Sequence, residues 1–273
     1  MDMHRRLKDG VKWMWSLGDY GEVAERLLPC AEALVEAIGI HRGTTVLDVA
    51  AGNGNFALAA ARSGAAVTAS DLTPQMVALG RARSEAEGLT IEWREADAEQ
   101  LPFDANQFDV VASVFGAMFT PDPACVATEL FRVARPDGIV AMANYAPGGF
   151  LAQFAELITR YAPPAPAALP SPFRWGDADE VHHRFGEWAA SLPIETRTLT
   201  FAFESVAQGL AFWERTNGPM IALRSLIPPE TYRAMTVEAT HLLTNLNRAD
   251  DGRLLLESGY LQVIARKKAV VKG

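Results

Sequence analysis

Between residues 45 and 145, apolar runs of strand length alternate with stretches of helical length, which restricts the chain to a largely parallel sheet covered by helices. Strands are expected at about 46–50, 66–70, 90–94, 109–114 and 138–143, and helices near 55–63, 74–87 and 121–134. Parallel neighbours need crossover connections, and helices supply these while burying both sheet faces. Pro74 suits a first helical turn and Gly88 marks that helix's far end. Pro136, Asp137 and Gly138 turn the chain from the third helix into the next strand.

The flanking regions differ in character. Residues 11–38 carry an aromatic opening, Trp13 to Tyr20, then an amphipathic helical stretch, with Gly18 permitting a break between them. Beyond Tyr145 a helix is expected over 149–161, followed by Pro163, Pro164, Pro166, Pro170 and Pro172, whose fixed dihedrals disfavour continuous helix and suit a lid or shaped connection. A short helix fits 177–188 and a Thr- and Phe-rich strand 195–203. Several helices fit 205–248, broken at Gly218-Pro219 and Pro228-Pro229. Leu255 to Lys267 reads as a strand pair or one bulged strand, with Gly259 at the irregularity. The organisation is thus a helical cap (1–44), a ligand-binding core (45–145), a lid and helical insertion for substrate selection that includes a core strand near 195–203 (146–250), and a terminal strand (251–273).

Within the core, Val46-Leu47-Asp48-Val49-Ala50-Ala51-Gly52-Asn53-Gly54-Asn55 joins a strand to a loop whose two glycines let backbone approach a ligand. Open α/β sheets bind ligands where loops leave the C-terminal strand ends. Asp71 follows the next strand, so an acid arrives beside the same loop, a pairing suited to a nucleoside.

With Ser70-Asp71-Leu72-Thr73-Pro74-Gln75-Met76, Asp97-Ala98-Glu99-Gln100-Leu101-Pro102-Phe103, Phe108-Asp109-Val110-Val111 and Leu130 to Gly138, this run resembles the class I S-adenosylmethionine-dependent methyltransferases, in particular the small-molecule branch of ubiquinone/menaquinone-type enzymes. The resemblance implies an α/β, Rossmann-like, seven-stranded mixed sheet with an antiparallel final strand and helices on both faces. It implies that Asp48, Ala50, Gly52 and Gly54 surround the methionine part of the cofactor, that Asp71 holds ribose hydroxyls, and that Asp97 and Ala98 face adenine, with Ser113 also at the cofactor. Leu72 and Met76 either cover the adenine or pack their helix. Because relatives often close the pocket with an N-terminal helix, Tyr20 and Trp13 are candidate lid residues, Tyr20 toward cofactor and Trp13 toward substrate.

The glycine loop also satisfies the loose Gly-x-Gly-x-x-Gly/Ala form, so a dinucleotide-dependent oxidoreductase is the enzymatic alternative. Asp48 argues against it, since a pyrophosphate would be repelled by a carboxylate directly before the glycines. A non-catalytic S-adenosylmethionine sensor or assembly subunit is the alternative from another class.

On the acceptor side, strand-end position marks Phe115, Gly116, Met118 and Tyr145. The insertion adds Phe173, Trp175, Phe212, Trp213, Asn217 and Met220, a set whose aromatic surfaces favour a partly apolar small substrate. A sulfonium methyl is already electrophilic, so in-line substitution needs alignment rather than a metal or a covalent nucleophile. His182, His183 and Glu214 are candidate acid/base groups, although the two adjacent histidines cannot share one pocket from a helix. His4, His41 and His241 lack metal-ligand spacing, and Cys30 and Cys125 are expected as buried thiols, so no metal is expected. A net charge of −8 disfavours nucleic acid, and the absence of a long apolar run gives the expectation of a cytoplasmic protein without membrane contact, monomeric or homodimeric.

Overall fold

The computed structural model describes residues 3–164 and 169–269; Pro166 of the expected proline-rich connection and the side chain of His4 lie outside the described residues. The chain opens with α1 (Met3–Trp15) and α2 (Tyr20–Ile38), separated at Gly18 as expected, although α1 begins well before the aromatic residues that suggested it. The Asp19 side chain caps α2 by accepting from the Gly21 amide.

The core follows as β1 (Thr45–Val49), α3 (Asn55–Arg62), β2 (Ala66–Asp71), α4 (Pro74–Ala86), β3 (Ile91–Glu95), β4 (Phe108–Val114), α5 (Pro123–Val133) and β5 (Ala134–Tyr145). Pro136, Asp137 and Gly138 lie inside β5 rather than before it, in an irregularity of the β4–β5 register between Phe108/Ala134 and Val110/Ile139. The remainder is α6 (Phe150–Tyr161), α7 (Ala178–Phe185), β6 (Ala189–Ser191), β7 (Ile194–Phe203), α8 (Val206–Thr216), α9 (Gly218–Leu226), α10 (Pro229–Leu246) and β8 (Leu254–Lys267).

The strands form one mixed sheet in the order β3-β2-β1-β4-β5-β8-β6, with β7 also paired to β8. From β3 to β5 all neighbours are parallel, and β8 runs antiparallel to β5, β6 and β7. The sheet has eight strands where seven were expected, because the edge ribbon is divided at Pro193, which has no amide to donate, although its carbonyl accepts from the Ile264 amide at 3.0 Å. β8 is one continuous strand, and Gly259 keeps register opposite Thr198 without a bulge.

Val46, Leu47, Asp48 and Val49 are all buried, the run expected of a parallel strand covered on both faces. β1 lies between β2 and β4, so the chain reverses direction of winding there and opens a crevice at the C-terminal strand ends.

The insertion is held by aromatic packing. Trp213 meets Phe150, Phe154, Phe201, Phe203 and Phe212 with ring centroids 4.9–6.5 Å apart, joining α6 and α8 to β7. Its other contacts run to the cap hinge. A Cβ on Gly218 would lie 2.4 Å from the Met14 carbonyl oxygen, and Arg215 grips Glu22 through two hydrogen bonds of 2.9 and 2.6 Å. Among the described residues no helix is long and apolar enough to cross a membrane.

Candidate active site

The site grows from the end of β1. Asp48 is 1% exposed, and its Oδ2 accepts from the Ala57 amide at 2.9 Å, tying the strand end to the first turn of α3, while its Oδ1 has no partner. Burial pushes this carboxyl up to about 8; the Ala57 amide opposes the shift and the charge of Asp71 adds to it. Gly54 sits at φ 91°, and a Cβ there would come within 2.5 Å of the Trp93 indole. This glycine therefore admits Trp93 as much as it shapes the loop.

Asp71 closes the loop from the end of β2. Its Oδ2 accepts from the Gly52 amide at 2.9 Å and its Oδ1 from the Thr73 amide at 2.8 Å. Burial raises its pKa, opposed by these hydrogen bonds and by the charge of Lys12. After β3, Asp97 accepts from the Glu99 amide at 2.9 Å and from Lys8 Nζ at 2.5 Å. Lys8 also pairs with Glu99 at 2.6 Å, and Lys12 pairs with Glu95. Burial works against the Lys8 charge, but Asp97 and Glu99 outweigh it and hold the ammonium above the usual lysine range.

Asp71, Asp97, Lys8 and Lys12 border a cavity of about 90 Å³. Tyr20, Ala50, Gly52, Asp71 and Leu72 line it, together with Met76, Asp97, Ala98, Phe115 and Gly116. The two acids expected to hold opposite ends of one adenosine thus face the same space. Opposite them the backbone is strained and tightly packed: Ala50 (φ 52°) and Phe115 (φ 57°) are left-handed without being glycine, and a Cβ on Gly116 would lie 2.0 Å from the Ala50 carbonyl oxygen. Behind this wall Phe115 stacks on Tyr145 at 4.1 Å and meets the edge of Tyr260 at 5.5 Å.

Other expected site residues sit elsewhere. Asp48 and Gly54 lie beneath the loop, and Ser113 is fully buried, its Oγ accepting from the Ala117 amide at 3.0 Å. Tyr145 and Met118 are buried outside the cavity lining. Phe173, Trp175, Phe212, Trp213 and Met220 are core residues, because the insertion buries its aromatic faces against the sheet and one another rather than against the cavity. Asn217 caps α9 by accepting from the Met220 amide at 3.0 Å. His182 and His183 are both exposed on α7, and Glu214 accepts from the Tyr232 hydroxyl at 3.2 Å, so none of the three faces the cavity. Cys125 is exposed rather than buried, with Sγ 3.2 Å from Asp122 Oδ2. Among the described residues no three His, Cys, Asp or Glu side chains are grouped to hold a metal ion.

The tryptophan of α1 that lines the cavity is Trp15 rather than Trp13, which is 46% exposed. Trp15 meets Tyr20 at 5.8 Å and Phe119 at 4.9 Å. With Lys8, Val11 and Lys12 it forms the cavity-facing side of α1, at intervals of three and four residues that the sequence displays openly. Phe119, Thr120 and Pro121 complete the lining from the loop after β4.

A mixed sheet with an antiparallel β8, a glycine loop at its switch point and acids after β2 and β3 together define the class I methyltransferase architecture. A family model described as a methyltransferase domain matches residues 47–142. The chain is 42% identical over 233 residues to an uncharacterised protein of Mycobacterium tuberculosis, covering 84% of this chain and 85% of that one. It is 30% identical over 200 residues to the demethylmenaquinone methyltransferase of Tropheryma whipplei, covering 72% of this chain and 80% of that enzyme. A crystal structure of a putative methyltransferase from Bacillus halodurans shares the fold with a TM-score of 0.58 at 23% identity, covering 88% of this chain and 99% of that one. The chain belongs to the S-adenosylmethionine-dependent methyltransferases, related to the small-molecule members of that family.

Proposed function

We propose that the cavity binds S-adenosylmethionine and that the enzyme methylates a small, partly hydrophobic metabolite by in-line substitution, with S-adenosylhomocysteine as the second product. The observation that carries this reading is the convergence of Asp71, Asp97 and the glycine loop on one space bounded by an aromatic wall. The residues fit the cofactor: each Asp71 oxygen spends one hydrogen bond on the backbone and keeps acceptor capacity for a ribose hydroxyl, and Asp48 retains an unpartnered buried oxygen beneath the loop. When bound, S-adenosylmethionine supplies an electrophilic methyl group. The loop, Asp71, Asp97 and Ala98 hold and orient it, and Leu72 and Met76 flank its base.

Phe115, Gly116, Phe119 and Trp15 shape the acceptor side, where apolar walls exclude water and align a ring or chain. The Tyr20 hydroxyl, pushed up to about 12 by burial and by Asp71, stays protonated at neutral pH and acts as a hydrogen-bond donor rather than a base. Tyr20 therefore does not take the acceptor's proton at neutral pH. The resemblance to an enzyme named for a quinone-type acceptor accords with this apolar wall. A dinucleotide fits worse, since Asp71 already occupies the Gly52 amide of the glycine loop and its carboxylate would repel a pyrophosphate there.

Incubation with methyl-labelled S-adenosylmethionine and a metabolite extract tests the proposal, and a labelled small product identifies the acceptor atom. Tight cofactor binding without transfer across a broad extract would favour the sensor reading instead. Asp71→Ala should weaken cofactor binding by about ten- to a hundredfold in calorimetry, the worth of one or two hydrogen bonds to a charged group; unchanged affinity removes the ribose assignment.

A further inference from the structure

A second groove, of about 550 Å³, runs between α2 and β7 on the far side of Tyr260 from the cofactor cavity. It exists because α2 presents small side chains, Cys30 and Ala33, toward the strand. Its size falls within the roughly 300–1,000 Å³ of small-molecule sites.

The polar lining is fixed in place. Arg26 lies over the rings of Phe203 and Phe212, 4.4 and 4.7 Å from their centroids, and donates to the Ala202 carbonyl at 3.1 Å. Arg197 donates to Glu195 at 3.0 Å, but its buried Nε has no hydrogen-bond partner. A buried guanidinium N–H without an acceptor is costly, and a small shift of the Arg197 side chain would bring it to a ligand oxygen in the groove. The Tyr260 hydroxyl lies at the floor beside the Cys30 thiol and Arg197, accepting from the guanidinium and keeping its own O–H to donate. Burial holds that phenol above its usual range, so it remains protonated. Glu195 pairs with Arg197, and Glu22 and Glu25 act on Arg26 from outside the lining, so an anion is drawn chiefly to Arg197, and the apolar flanks, Ala33 and Leu199, select one carrying a hydrocarbon part.

We propose that this groove is a second small-molecule site, for an amphipathic carboxylate whose head lies between Arg197 and Arg26 and whose apolar part lies along Ala33 and Leu199. The site stands apart from methyl transfer and does not depend on the identity of the acceptor.

Calorimetric titration with octanoate, and separately with inorganic phosphate, tests it on the full chain. Octanoate should bind saturably and more tightly than phosphate, and Arg197→Gln should weaken it about tenfold or more. Ala33→Phe, which fills the groove while leaving every charge in place, should abolish octanoate binding, and thermal unfolding verifies that both variants fold. S-adenosylmethionine affinity, measured in the same samples, should be unchanged, which separates this site from the cofactor cavity. Phosphate binding as tight as octanoate would overturn the proposal. So would the absence of saturable octanoate binding to the unaltered protein, or octanoate affinity unaffected by both substitutions.

Discussion

Asp48→Asn isolates the most perturbed carboxyl of the site. The Asp48 carboxyl lies at about 8 in the folded chain against the ordinary aspartate value of 3.8, so between these pH values the folded state holds a proton that the unfolded chain has released. An acid whose pKa is raised on folding makes stability fall as pH rises through that window, and the loss is complete above the folded value. Between pH 5 and pH 8 the linkage amounts to about 2–4 kcal/mol, at up to about 1.4 kcal/mol per pH unit. Asparagine keeps the acceptor for the Ala57 amide but cannot ionise. It also places an amide NH2 where Oδ1 has no partner, a cost of about 1–3 kcal/mol that is the same at every pH.

The variant should therefore be less stable than the parent at pH 5 and comparable or more stable at pH 8. Urea unfolding of both proteins at the two pH values measures this. The double difference removes the pH-independent cost of the amide and the contributions of groups that do not interact with Asp48, leaving the titration of Asp48 together with its coupling to Asp71. A double difference below about 1 kcal/mol would refute the argument, because it would mean that Asp48 is already ionised in the folded chain at pH 5.

Gly54→Ala adds a Cβ at φ 91° against Trp93, and should cost about 2–4 kcal/mol in chemical unfolding; a neutral effect would show that Trp93 has room to move. Trp213→Ala should cost about 3–5 kcal/mol while leaving S-adenosylmethionine affinity unchanged, and a selective loss of turnover without loss of stability would return Trp213 to the substrate pocket. Lys8→Met removes the cation that holds α1 to Asp97 and Glu99, and should speed cofactor association and flatten its salt dependence in stopped-flow fluorescence; an unchanged rate would mean that α1 does not restrict entry.

The α/β block was readable because its signals are local. Strand-length apolar runs, Pro74 at a first turn and acids directly after β2 and β3 each constrain a few consecutive residues, and the sheet order then places Asp71 and Asp97 beside the glycine loop. What escaped depends on long-range pairing. Trp13 and Trp15 are two residues apart, which on a helix turns them about 200° from one another, so only the docking of α1 decides which ring covers the cavity. Phe212 and Trp213 have the composition of a substrate pocket and the position of a core, since aromatic rings serve both uses and only burial against Phe150 and Phe201 separates them. The division of the edge ribbon at Pro193 was visible as a proline, but its partner strand β8 lies more than sixty residues away.

Electrostatics connects the cap to the cofactor. Glu95 ends β3 and Asp97 and Glu99 follow it, Asp71 ends β2 and Asp48 is buried near the end of β1, so carboxylates concentrate in and around a partly desolvated space. The fold answers this repulsion with α1, which brings Lys8 and Lys12 against the outer acids, while Asp48 holds a proton chiefly because it is buried, with the charge of Asp71 adding to the effect. The cavity is about 90 Å³, below the roughly 300 Å³ from which small-molecule sites begin, so a nucleoside would need more room, and movement of α1 with Lys8 and Lys12 is the expected way to supply it. A sulfonium-bearing, ammonium-bearing ligand restores the lost positive charge and favours the ionised form of Asp48. Binding of a cationic cofactor should consequently release a proton from Asp48, whereas a neutral nucleoside analogue of the same shape lacks that compensation and should bind more weakly as pH rises toward 8.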